Sequence, residues 1–169
     1  MIGNDIVDLA LAEKESNWQR KGFLHKLFTV QEQFFIKSSI NQEITIWNLW
    51  SRKEAAYKIY NRQTGIRKYN PIQFECFNLD LEIGNVVLEN QVFYTKTEIS
   101  SEYIYTIAAT SIENLNKIQT IANTTIIQKE KGIPWYINEN QIITPISKTN
   151  HGRFERIISV TSIPNEILV

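Results

Sequence analysis

Apolar residues recur along the chain with two different periods. Ile2 to Leu9 carries Ile and Val between polar positions and reads as a short first strand. Leu9 to Lys21 has helical composition and stops at Gly22, a natural C-terminal cap. Thr29-Val30-Gln31-Glu32 forms a capping box, in which hydroxyl and carboxylate each satisfy an orphan backbone N–H, and predicts a helix to about Ser39. A third helix spans roughly Glu43 to Asn61. Its Trp47, Leu49, Trp50, Ala55, Ala56, Ile59 and Tyr60 lie almost all round the axis at about 100° per residue, the mark of a buried helix. From Ile72 the texture changes to short β-rich runs: Ile72 to Leu81, Val86 to Lys96, Tyr103 to Thr110, Thr124 to Gln128, Ile133 to Ile137, Ile142 to Ser147 and Phe154 to Ser162. Gly84-Asn85, Lys131-Gly132 and Asn138 to Asn140 supply turns between them. Helices first and strands later predict an α+β fold, and with no repeat or linker visible, one domain over residues 1–169.

Composition narrows the function classes. The 18 basic and 18 acidic residues cancel, so no bulk field selects nucleic acid or a membrane surface. A local basic patch remains, where Lys14, Arg20, Lys21, Lys26 and Lys37, with His25, outnumber Glu13, Glu15 and Glu32; by itself it reads as a solvated helix face. The single cysteine, Cys76, cannot form an internal disulfide and sits in the apolar run Phe74 to Phe77, as a buried thiol would. The first residues meet charge at once, without the pattern of a signal peptide, and no window nears the run of about 18 apolar residues that a membrane helix needs. A cytoplasmic location is expected.

Two sets of charges are out of place. Asp5 stands in a strand beside Ile2, Ile6 and Val7, where a carboxylate needs a partner. On the third helix, Glu54 and Lys58 share a sector with Trp47, Trp50 and Tyr57 and so emerge inside an aromatic stripe. Periodicity alone allows a plain i,i+4 ion pair on a wet helix face as well as a site.

Ile2-Gly3-Asn4-Asp5-Ile6-Val7-Asp8 followed by Trp50-Ser51-Arg52-Lys53-Glu54-Ala55-Ala56-Tyr57-Lys58 resembles the two signature motifs of the 4′-phosphopantetheinyl transferase superfamily. That pattern is a Gly-x-Asp strand, then an aromatic, a small residue, any residue, Lys-Glu-Ala/Ser, two more, and Lys. Thr64-Gly65-Ile66 is similar to the small holo-acyl-carrier-protein synthase group, and Gly132-Ile133-Pro134 with Ser147-Lys148-Thr149-Asn150-His151 looks like its closing strands. On this reading the resemblance covers about residues 1–68 and 124–162, leaving about 69–123 as an inserted β-rich segment. The closing motif departs from the family's Ser-x-Ser-His, with Asn150 at the His place and His151 one residue on. Asn48-Leu49 stand where an Arg usually precedes the aromatic.

The resemblance implies an antiparallel sheet packed against the long buried helix, and transfer of the phosphopantetheine arm of coenzyme A to a serine of an acidic acyl or peptidyl carrier protein. Asp5 and Glu54 would hold Mg2+; Glu54 would accept the serine proton and Lys58 would stabilise the leaving group. Lys53 would contact phosphate, and Thr64, Gly65 and either Asn150 or His151 would bind the coenzyme. Asp8 falls on the opposite face of a regular strand from Asp5. Arg20 and Lys21, on the first helix, would dock the carrier. A homo-oligomer, as the trimer of the small group, is implied; the alternative function is a non-catalytic relative that binds coenzyme A or a carrier.

Overall fold

The structure, a computed structural model, describes residues 1–78, 80–122, 126–130, 133–137 and 142–160. A first strand, β1 (Ile2–Asp8), leads into four helices, α1 (Leu9–Glu15), α2 (Phe23–Leu27), α3 (Val30–Ser38) and α4 (Gln42–Thr64). A 3-10 turn (Pro71–Gln73) precedes β2 (Glu75–Asn78), β3 (Ile83–Leu88), β4 (Gln91–Ile99) and β5 (Tyr103–Ala109). Then follow α5 (Ile112–Asn116), β6 (Ile118–Thr120), β7 (Gln128–Glu130), β8 (Ile133–Ile137), β9 (Ile143–His151) and β10 (Phe154–Val160). The strands form two antiparallel sheets, ordered β1-β5-β4-β3-β2 and β6-β10-β9-β8-β7.

Local chemistry sets the helix ends. Asp8 accepts from the backbone N–H groups of Ala10 and Leu11 and starts α1. The Thr29–Glu32 capping box forms as the sequence predicts, and Gly65, at φ 73°, ends α4 in the left-handed region. The first helix is shorter than expected. It closes at Ser16, and Asn17 then accepts from the Gln19 N–H, an Asx turn that competes with helix. Arg20 and Lys21 therefore lie in a turn, and Gly22, at φ 85°, opens α2 instead of closing α1.

Two β readings are corrected as well. Val86 to Lys96 is not one strand: Leu88 pairs with Gln91 across a two-residue turn in which Glu89 takes φ 53°, making β3 and β4 a hairpin. Gly84 lies inside β3, paired with Thr95 of β4, rather than in a turn, and its lack of a Cβ leaves room for Arg52 Nη1, which a Cβ would meet at 2.0 Å. Nor is the stretch of about 69–123 an insertion. Its β5 pairs with the whole of β1, from Ile2–Ala109 to Asp8–Tyr103, and without it the first strand would have no hydrogen-bonded neighbour in its sheet. The strand expected over Thr124 to Gln128 lies partly outside the described residues, as do the end of the last strand and the turns at Lys131-Gly132 and Asn138 to Asn140.

α4 lies across the first sheet and is the spine of the core, burying Ile46, Leu49, Ala55, Ala56 and Ile59 with Ile36, Phe28, Phe93 and Ile104. Cys76 is buried, as expected, and burial pushes its thiol up. β1 is covered on both faces, with Gly3 and Val7 turned to α4 and Ile2 packed with Ala109 of β5 and with Ile158 of the second sheet. A Cβ on Gly3 would meet the Ala55 carbonyl oxygen at 2.0 Å. Gly3→Ala is therefore expected to lower the unfolding free energy by about 2 kcal/mol or more, as overpacking forces strand and helix apart. Urea unfolding checks this, and an unchanged midpoint would refute the close approach.

Candidate active site

The pleat that turns Gly3 to α4 carries Asp5, two residues on, to the same face. Asp5 and Glu54 line one cleft of about 370 Å³, walled by Phe23, Trp47, Trp50 and His151. Both carboxylates feel the apolar wall. Burial raises Asp5 despite the opposing Lys58, and burial, with Asp5 second, pushes Glu54 up to about 7. The Trp47 indole N–H is buried and has no acceptor among the described residues.

Lys58 does not make a wet i,i+4 pair with Glu54. Its Nζ donates to the Asn4 carbonyl at 2.6 Å and lies 3.4 Å from Asp5 Oδ1, which also accepts from Thr149 Oγ1 at 3.3 Å. Strand, helix and second sheet thus meet on one carboxylate. Thr149 is a contact that sequence reasoning missed, since only the packing of β9 against β1 brings it there.

Lys53 is not a phosphate contact. It is fully buried, 2.7 Å from Glu32 Oε2, and donates to the Pro71 carbonyl at 2.9 Å. The helical period puts it about 100° from Glu54, on the side facing α3. Thr64 and Gly65 stop α4: Thr64 Oγ1 donates to the Tyr60 carbonyl and accepts from the Ile66 N–H, and neither residue lines the carboxylate cleft. Asn150 and His151 both line it. His151 Nδ1 accepts from the Asp8 N–H at 2.8 Å, so its ring proton sits on Nε2, 3.8 Å from Glu15 Oε2. Arg20 and Lys21 are exposed beside Trp18, His25 and Lys37 around a shallow basic cleft.

Asp8, on the other face of the strand, takes a structural role. Arg153 donates to both its oxygens, Nε to Oδ2 at 2.9 Å and Nη2 to Oδ1 at 3.0 Å, and holds its carboxyl well below the usual range. A depressed carboxyl contributes stability that is full above the unfolded value of about 3.9 and is lost as pH falls toward the folded one. Arg153→Met is accordingly expected to be less stable than the parent at pH 7, with the gap closing on acidification; urea unfolding at several pH values reads this, and a gap independent of pH would exclude the linkage.

The donor chemistry suits a hard divalent cation. Among the described residues no group of three His, Cys, Asp or Glu could enclose a metal ion, but Mg2+ characteristically takes one or two carboxylates and completes its shell with water and substrate phosphates. Asp5 and Glu54 supply that pair, and a cation held by both would offset the burial cost that raises them.

An α+β domain whose first strand and buried helix each bring a carboxylate into one apolar-walled cleft is therefore a candidate for metal-assisted work on an anionic substrate. Residues 1–121 match the family model described as the 4′-phosphopantetheinyl transferase superfamily, and the chain belongs to that family. The match runs through β2–β5, in keeping with their place in the first sheet. Among solved structures the chain is similar to a holo-[acyl-carrier-protein] synthase from Helicobacter pylori in complex with coenzyme A, at TM-score 0.52 and 20% identity, covering 64% of this chain and 98% of that one. It is similar too to an apo-ACPS structure from Chronobacterium ammoiniagenes, at TM-score 0.52 and 14% identity, covering 64% and 93%. These likenesses show the shared fold. Two curated relatives from Dothistroma septosporum, both fatty acid synthase alpha subunit hexA, are 35% identical over 63 residues, or 37% of this chain. The chain covers 18% of one and 4% of the other. No described helix is long and apolar enough to cross a membrane.

Proposed function

We propose that the protein transfers the 4′-phosphopantetheine arm of coenzyme A to a serine hydroxyl of an acidic carrier protein, with Mg2+ held by Asp5 and Glu54. The observation that carries this reading is the convergence of those two carboxylates, one from each signature motif, in a single cleft. The serine oxygen attacks the phosphorus bearing the pantetheine, the bond to the bridging oxygen breaks, and adenosine 3′,5′-bisphosphate leaves. Such transfer depends on charge neutralisation and alignment more than on covalent help. When bound, Mg2+ supplies neutralisation of the pyrophosphate oxygens.

The chain's own groups do the rest. Glu54, ionised once a cation offsets the burial that raises it, is placed in the cleft to accept the serine proton. Lys58, anchored on the Asn4 carbonyl and beside Asp5, carries positive charge toward the leaving phosphate. Trp47 and Trp50 wall the cleft and exclude water on that side. His151, with its proton on Nε2, and Asn150 are hydrogen-bond donors for the coenzyme at the other wall. The exposed Arg20 and Lys21 suit an acidic carrier, raising its association rate in a salt-dependent way. The fatty acid synthase relatives make a fatty-acid carrier the first substrate to try.

Incubation with coenzyme A, Mg2+ and apo carrier proteins, followed by intact mass measurement, tests the proposal. The added arm on the carrier is the expected result. Coenzyme binding without any mass shift would overturn transfer and leave a non-catalytic binding relative.

A further inference from the structure

Past Gly65 the chain turns back along α4. The Tyr57 hydroxyl donates to the Arg67 carbonyl and Asn61 Nδ2 to the Ile66 carbonyl, each at 2.7 Å, so the return runs beside the helix. It brings Tyr69, which lies outside both signature motifs, against Trp50 and Tyr57, with ring centroids at 5.8 and 4.4 Å. Those two rings stand four residues before and three after Glu54, and positions three and four apart share a face of a helix. The Tyr69 ring therefore spans the level of α4 from which Glu54 projects, and Phe74, at 5.6 Å, packs on it as well.

The Tyr69 hydroxyl is buried and has no hydrogen-bond partner among the described residues. A buried donor without an acceptor costs free energy, and its presence asks for an acceptor that comes within reach in another state of the site. Burial and then Glu54 push this hydroxyl up most strongly, with Cys76, Asp5 and Glu32 behind, so it stays a neutral donor. Asp5 already accepts from Thr149 and Lys58, and the oxygens of Glu32 serve Lys53 and the Thr29 and Cys76 N–H groups. The Glu54 carboxylate accepts no hydrogen bond among the described residues. An orphan donor and an orphan acceptor thus share one side of α4.

We propose that Tyr69 is a positioning residue of the site, donating its hydroxyl to the Glu54 carboxylate and so holding that carboxylate toward the cation shared with Asp5. The inference rests on the function proposed above, in which Glu54 is a metal ligand. Hydrogen bonds of this kind are commonly long in an unloaded site and tighten on loading. A hydrogen bond to a ligating carboxylate fixes its direction. Trp50 and Tyr57 clamp the phenol ring, so little freedom is lost when the bond forms.

Tyr69→Phe keeps the ring cluster and removes only the hydroxyl. Binding of Mn2+, standing in for Mg2+, is read from the free-ion paramagnetic resonance signal of the full chain with coenzyme A, corrected for the coenzyme alone and without any carrier. The variant is expected to bind Mn2+ at least about 10-fold more weakly. The urea midpoint of the metal-free variant is expected to stay level or rise, because the lost hydroxyl has no partner there. Unchanged Mn2+ affinity, or a lowered midpoint, would overturn the assignment. The two proposals fail separately. Mn2+ binding that weakens as expected, without mass transfer to any carrier, defeats the transferase reading alone. Transfer by a protein whose Mn2+ affinity ignores the hydroxyl defeats this one alone, and a parent that binds no Mn2+ defeats both.

Discussion

Glu54→Gln is expected to abolish arm transfer, lowering the rate by about 10²-fold or more, since it removes both a metal ligand and the group placed to take the serine proton. The same change is expected to stabilise the metal-free protein above neutral pH. Glu54 is raised to about 7 by burial and by Asp5, so between the unfolded value of about 4.3 and 7 the folded state holds the extra proton, and stability falls as pH rises. Gln cannot ionise and escapes that loss, which at about 1.4 kcal/mol per unit reaches at most about 4 kcal/mol. Activity measured by intact mass and stability by urea unfolding at pH 5 and pH 8 should move in opposite directions. A variant that kept its activity would remove Glu54 from the site. One that lost stability equally at both pH values would mark Glu54 as an ordinary structural group.

The second large effect lies on Lys53, the motif residue whose role the structure reassigns. Lys53→Met strands Glu32 in the interior, where its two oxygens already serve the Thr29 and Cys76 backbone N–H groups and the lysine. Breaking a buried ion pair by deleting one partner costs about 3–5 kcal/mol, because the remaining charge is uncompensated. The expected result is a large fall in the urea midpoint, with coenzyme affinity little changed in whatever protein remains folded at low temperature. A weakened affinity with the midpoint intact would restore Lys53 to the phosphates. The two adjacent motif residues thus divide the work: Lys53 fastens α4 to α3 and Glu54 faces the cleft, as a helical step of about 100° requires.

Much of this arrangement was legible along the chain. The capping box at Thr29 and the all-round apolar pattern of α4 are local features, and local hydrogen bonding and burial realise them as read. The out-of-place charges Asp5, Glu54 and Lys58 stood out because apolar neighbours make an unpaired charge costly. Elsewhere a stronger local or tertiary term prevailed. An Asx turn at Asn17 cut the first helix short, a two-residue turn at Glu89-Asn90 folded one expected strand into a hairpin, and pairing with Thr95 kept Gly84 in a strand. Strand length and composition in residues 69–123 could not say which strand they would pair with, so the body of the first sheet looked like an addition.

By itself the sequence determined that Asp5 in its apolar strand needs a partner and that Glu54 lies in an aromatic stripe, while its periodicity left a solvated pair of Glu54 with Lys58 open, because burial follows from periodicity only where the whole face is apolar. What surrounds them was decided only by the tertiary structure. Thr149 reaches Asp5 from a strand more than a hundred residues away, and Lys129 and Lys148 face Lys58 and Arg62 across a cleft. These contacts depend on how one sheet docks on another, and that is set by the summed fit of two surfaces rather than by any spacing along the chain.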